Sequence, residues 1–154
     1  MDKPEIMAPV GNYEMLAAAI KAGANSVYFG IDKLNMRAGS AKTFKITDLK
    51  KIAQICKKNK VKSYLTLNTV MYDGDIKTIK QICDIAKKSE ISAIIAMDMA
   101  VIGYARKIGL RVHMSTQTNI SNIEAVKFYS KFADVVVLAR ELSLKQIKKI
   151  VKEI

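Results

Sequence analysis

The sequence predicts an α/β fold of the TIM type, a (β/α) barrel left incomplete after about six βα units. Three observations predict it. Strand and helix patterns alternate from end to end with no linker or low-complexity tract between them, as in α/β chains generally. The strands are two-faced: Val27 and Phe29 alternate with Ser26, Tyr28 and Gly30, and Leu65 and Leu67 alternate with Tyr64, Thr66 and Asn68. A doubly wound sheet, covered by helices on both sides, would be apolar throughout. A barrel packs helices on its outer face alone and turns the polar set inward. Third, a complete eightfold barrel takes ~250 residues, and this chain has 154. The whole of residues 1–154 therefore reads as one domain, with two edge strands that need cover.

The elements follow in order. A strand near Glu5 to Ala8 leads to a helix opened by Asn12, carrying Met15, Leu16, Ala19 and Ile20 and stopped by Gly23. Strand two is SVYFG, and residues 31–46 form a connection longer than the ~2 to 6 residues usual for such a join. It carries Arg37 and is expected over the strand C-termini. Thr47 is expected to cap a helix striped by Leu49, Ile52, Ala53 and Cys56. Strand three, KSYLTLNT, precedes a helix with Ile76, Ile79, Cys83 and Ala86 inward and Lys77, Lys80 and Lys87 outward. Strand four is SAIIAMD, followed by a short helix from Ala100 to Ile108 that Gly109 ends.

Strand five, from Arg111 to about Gln117, turns Val112, Met114 and Thr116 one way and Arg111, His113, Ser115 and Gln117 the other. Ser121 and Glu124 have capping-box spacing, which sets a helix with Ile123, Val126, Tyr129 and Phe132 on one side. Strand six, DVVVLARE, is apolar on both sides from Val135 to Ala139. Ser143 and Gln146 make a second capping box ahead of a last helix striped by Leu144, Ile147, Ile150, Val151 and Ile154.

Composition narrows the function. No apolar run reaches the ~20 residues that span a bilayer, and MDKPEIMAPV lacks the pattern of a secretory signal, which points to the cytoplasm and away from membranes. Cys56 and Cys83 fall on apolar helix stripes without metal or redox spacing. A net charge of +12 suits a phosphate partner. The lysines are scattered along the sequence, however, and read first as solvated helix faces and second as an RNA-binding patch.

Chemistry concentrates at strand ends. Asn68, Asp98, Gln117 and Arg140 each end a different strand, where convergent polar groups can meet one ligand; each can equally cap the helix that follows. His113 and Ser115 share a face but stand about 6.6 Å apart along a strand, which argues against a direct nucleophile–base pair. The candidate catalytic residues are His113, Asp98 and Arg140. The candidate substrate-binding residues are Asn68, Tyr28, Arg37, Ser115, Gln117 and Glu141, with Arg140 and Glu141 either an ion pair or an anion site. No metal ligands are assigned.

APVGN at 8–12, VYFG at 27–30, LNMRAG at 34–39, LTLNT at 65–69, HMSTQTNISN at 113–122 and VVLARELSL at 136–144 resemble the ordered landmarks of peptidase family U32, the collagenase-like peptidases. The resemblance implies a TIM-type barrel of which this chain is the N-terminal portion. It implies a peptidase or hydrolase acting on peptide, or alternatively hydroxylation of RNA pyrimidines at carbon five or a role in quinone synthesis with an iron–sulfur cluster. The family's cysteine signature lies beyond the last strand and helix seen here, and Cys56 and Cys83 match none of its cluster ligands. The chain is thus expected to carry no cofactor of its own, and its rival role is a non-catalytic RNA-binding or assembly module. The open strand edges predict a homo-oligomer.

Overall fold

A computed structural model describes residues 3–31 and 44–154. The predicted connection at 31–46, with Arg37, falls largely outside the described residues. Six parallel strands pair in chain order: β1 Met7–Pro9, β2 Ser26–Gly30, β3 Lys62–Leu67, β4 Ala93–Ala96, β5 Val112–Met114 and β6 Val135–Val136. The helices between them are α1 Tyr13–Lys21, α2 Leu49–Lys58, α3 Ile76–Lys88, α4 Met99–Lys107, α5 Ile123–Tyr129 and, after β6, α6 Leu144–Glu153.

The expected alternation is seen. Phe29, Leu65, Ile94 and Val112 lie side by side in register across four strands and are fully buried in the core under the helices. Their neighbours point the other way, where Tyr64, Ala93 and Ile95 form a second, smaller core with Tyr28. Curvature makes this second core possible. Adjacent strands lie about 4.8 Å apart, so strands two apart are about 9.6 Å apart in a flat sheet. Yet Tyr64 of β3 meets His113 of β5 with ring centroids 4.6 Å apart, which requires a concave face. The sheet curls far enough that Met7 of β1 and Val135 of β6 line one cavity. The fold is thus an open, partial barrel.

Several local expectations are corrected. A 3-10 turn at Ile46–Asp48 precedes α2, and Asp48, not Thr47, closes it by accepting from the Lys45 amide at 2.8 Å. Asn122, not Ser121, caps α5, its Oδ1 accepting from Ala125 N at 2.9 Å; asparagine is as good a cap as serine, and Asn122 has the extended backbone a cap needs. Strand β5 ends at Met114 rather than near Gln117. Ser115 turns away to cap a 3-10 turn at Thr116–Thr118, because short hydroxyl side chains offer the backbone an alternative to the ladder. In and just after β6, Val136 and Leu138 pack toward the helices, whereas Val135 and Val137 line the concave side. The Asn12 cap and the Ser143–Gln146 capping box form as expected.

Just past α1 and α4 the chain turns through Gly23 (φ +85) and Gly109 (φ +71). The matching positions past α2 and α3 are Lys60 (φ 57) and Glu90 (φ 61), where a side chain in left-handed backbone costs about 1 kcal/mol or more.

Candidate functional site

The concave face carries two adjoining groups of polar side chains. At the C-terminal ends of the strands, Asn68 follows β3 and reaches across β4 to the turn after β5. Its Nδ2 donates to Gln117 Oε1 at 3.1 Å and to Ser115 Oγ at 3.4 Å, and Ser115 Oγ also donates to Gln117 Oε1. Thr66 Oγ1 donates to the Phe29 carbonyl at 3.0 Å. Asn68, Ser115 and Thr66, with Tyr28, line a cavity of about 180 Å³. Three residues named from sequence, Asn68, Ser115 and Gln117, are therefore brought together, and Tyr28 stands beside them.

Deeper along the same face lies a cavity of about 350 Å³ lined by Glu5, Lys62, Tyr64, Arg111 and His113 among others. Met7 and Val137 border both cavities, which makes them neighbours. Glu5 is held ionised: Lys62 donates to its Oε2 and the Tyr64 hydroxyl to its Oε1 at 2.8 Å. The Lys62 ammonium chiefly, with help from Tyr64, lowers the Glu5 carboxyl to about 2 against the burial that opposes it. Burial, reinforced by Glu5 as acceptor, pushes the Tyr64 phenol upward.

His113 is 9% exposed. Its ring tilts against Tyr64 at 57°. Burial is the main force lowering its pKa, and the Arg111 guanidinium adds to it, so the imidazole facing the cavity is neutral at pH 7. Arg111 itself pairs with Asp134 at 3.7 Å.

The other sequence candidates stand apart from these groups. Asp98 caps α4, its Oδ1 accepting from Ala100 N at 2.8 Å. Arg140 and Glu141 are both exposed in the turn after β6, and among the described residues no ion pair joins them. Arg37 lies outside the described residues. The residues that sequence reasoning left unassigned are Glu5 and Lys62; both share the parity of inward neighbours, Met7 and Tyr64, and that parity was the available signal.

Cys56 and Cys83 sit on the inward faces of α2 and α3, fully buried in the outer core. Burial pushes their thiols up to about 11 and about 12. Among the described residues no group of three or more His, Cys, Asp or Glu side chains could hold a metal ion, and no helix is long and apolar enough to cross a membrane.

Comparison with known proteins adds the context. Residues 11–154 match the family described as peptidase family U32. The chain is 64% identical over 146 residues to a collagenase of Porphyromonas gingivalis (strain ATCC BAA-308 / W83), covering 95% of this chain and 35% of that protein. It is 43% identical over 146 residues to an uncharacterized protease of Methanocaldococcus jannaschii, covering 95% and 36%. It is 31% identical over 155 residues to a tRNA hydroxylation protein of Bacillus subtilis (strain 168), covering 99% and 36%. The chain therefore spans little more than a third of the length of these relatives. A U32 peptidase of known structure superposes with a TM-score of 0.77 at 11% identity, covering all of this chain and 68% of that one, a likeness of fold.

Proposed function

The chain belongs to peptidase family U32, and we propose that it forms the N-terminal six βα units of a cytoplasmic peptidase barrel whose substrate lies along the concave face. The carrying observation is His113: a buried, neutral imidazole that lines a cavity next to a cluster of amide groups. The Asn68 and Gln117 carboxamides match the donor and acceptor of a peptide bond and hold the substrate backbone at the mouth, flanked by Tyr28 and Ser115. His113 takes a proton from a water molecule as its oxygen bonds to the scissile carbonyl carbon. The proton then passes to the departing amine as the carbon–nitrogen bond breaks, so His113 ends neutral. Arg111 stabilises the developing oxyanion. Arg140 and Glu141, exposed after β6, and Arg37 meet outlying parts of the substrate, while Asp98 acts through α4, whose start it fixes.

The test is cleavage of a collagen-derived peptide by the purified chain across pH 5 to 8. The rate rises with pH through the depressed His113 pKa and is level above about 6.5. A flat profile over that range, or no cleavage, overturns the reading.

A second reading is supported by the relatives that hydroxylate RNA. It predicts a one-oxygen mass gain on a pyrimidine instead of peptide cleavage. An iron–sulfur cluster does not fit Cys56 and Cys83, whose buried, protonated thiols sit under separate helices.

The open barrel edge supports self-association. In and just after α6, Leu144, Val151 and Ile154 are 66%, 60% and 69% exposed, and Val135 of β6 is 41% exposed. Two copies joined through β6 and α6 would cover this apolar stripe. Light scattering is expected to give a dimer at micromolar concentration that reverts to monomer in a Leu144→Glu, Val151→Glu variant; a wild-type monomer at high concentration sinks the idea.

A further inference from the structure

Glu5 and Lys62 take no part in the chemistry proposed above, yet both line the His113 cavity. Glu5 stands just ahead of β1 and Lys62 opens β3, so their ion pair reaches over β2 to join strands that are not neighbours. As a staple it is weak, because the Lys62 and Glu5 side chains are 59% and 36% exposed and exposed pairs add little to stability. The other oxygen of Glu5 reaches further inward. Its Oε1 accepts from the Tyr64 hydroxyl at 2.8 Å, and the Tyr64 ring lies against His113 with centroids 4.6 Å apart. Tyr64 is buried with Ala93 and Ile95, which fill space without fixing direction; the bond from its hydroxyl sets the direction. A line of contact thus runs from the lead into β1, through β3, to the imidazole on β5.

Charge follows the same line. The titratable and charged groups that act on the imidazole are Arg111 just ahead of β5, Asp134 just ahead of β6, Glu5 and Lys62, beside the neutral phenol of Tyr64. Arg111 is matched to Asp134 and Lys62 to Glu5, so His113 faces two ion pairs, each without net charge. Burial is the main force holding its pKa down; Arg111 and Lys62 add to it, and Asp134 and Glu5 oppose it. Removing one member of a pair leaves the partner's charge acting alone on the imidazole.

We propose that Glu5 is a positioning residue for His113: it anchors the Tyr64 hydroxyl, which holds the ring that the imidazole rests on, and it cancels the Lys62 charge beside that imidazole. This role rests on the reading of His113 as the base. Glu5, Lys62 and Tyr64 act through His113 and together set the pH at which the base is available.

His113 is the only histidine of the chain, so its Cε1 proton gives one NMR titration in the untagged protein, measured at low salt to limit screening. Glu5→Gln leaves Lys62 uncompensated, and the midpoint is expected to fall by at least about 0.3 pH unit, a twofold change in the ratio of neutral to protonated imidazole. Lys62→Met leaves Glu5 uncompensated, and the midpoint rises by a similar amount. The double variant removes both charges and lies between the two single variants. Tyr64→Phe keeps the ring without its tie to Glu5, and the Cε1 proton of the neutral imidazole is expected to change chemical shift as the ring turns. Circular dichroism verifies that each variant folds. If Glu5 and Lys62 only staple the strands, each substitution admits water to the cavity and raises the midpoint in every variant, because burial is what chiefly depresses it. That pattern, unmoved midpoints in the single variants, or an unchanged Cε1 shift in Tyr64→Phe overturns the proposal. The acid limb of kcat/KM for the collagen-derived peptide is expected to follow the midpoints variant by variant. Midpoints that move as stated while cleavage is absent, or does not follow them, support the positioning of His113 and overturn its role as a peptidase base.

Discussion

On the proposed peptidase reading, replacing His113 with glutamine is expected to lower the kcat/KM of peptide cleavage by at least 100-fold while leaving the chain folded. Glutamine keeps a polar side chain against Tyr64 but cannot accept and return a proton, and a positioned general base contributes about 10²- to 10⁴-fold. The same variant has a signature in stability. Burial and Arg111 lower the imidazole pKa in the fold, so below about 6.5 the unfolded chain binds this proton more readily than the folded one. The stability this group contributes is full above that pH and is lost as pH falls toward the folded pKa. Urea denaturation of wild type from pH 7.5 to 5 is therefore expected to show a falling free energy, with a shallower fall in His113→Gln. If cleavage persists in the variant, His113 is a wall of the cavity and not its base; if both pH profiles coincide, its burial in solution differs from that described here.

The second large effect lies under the helices. Phe29 is 1% exposed and meets Phe44 edge-on at 5.6 Å, and Phe44 meets Tyr13 in the same way at 5.2 Å. Tyr13 in turn donates to Asp48 Oδ1 at 2.8 Å, so the three rings link β2, α1 and the turn that starts α2. Truncating Phe29 to alanine leaves a void where the rings are fixed from several sides and cannot collapse. A loss of about 3 to 5 kcal/mol is expected, a large part of the 5 to 15 kcal/mol typical of a domain. Phe29→Leu, which keeps most of the volume, is expected to cost under about 1.5 kcal/mol. Denaturant midpoints test both; equal, small losses would mean that this corner is loosely packed.

What could be read from sequence was whatever repeats at short range. The two-residue alternation in SVYFG and KSYLTLNT assigned inner and outer faces, and the inner position of His113, Thr66 and Tyr64 followed from it. Caps were legible as residue types and less so as positions: Asn122 serves where Ser121 was expected, because neighbouring polar residues compete for one helix start within a single turn. The Lys62–Glu5 pair spans 57 positions and joins strands that are not adjacent, so it depends on sheet curvature that no local pattern encodes.

The strand order β1-β2-β3-β4-β5-β6 has a kinetic consequence. Among these six strands each adds to one made just before it, so each loop to be closed between them is about one βα unit long. Closure entropy grows slowly with loop length, but a sheet whose inner strands arrive late pays it repeatedly before any contact forms. Here a polypeptide emerging from the ribosome at about 5 to 20 residues per second can dock each new unit on a template already present. The growing edge is the only strand left unpaired at the advancing side, which limits the exposure of aggregation-prone backbone to one strand at a time during synthesis.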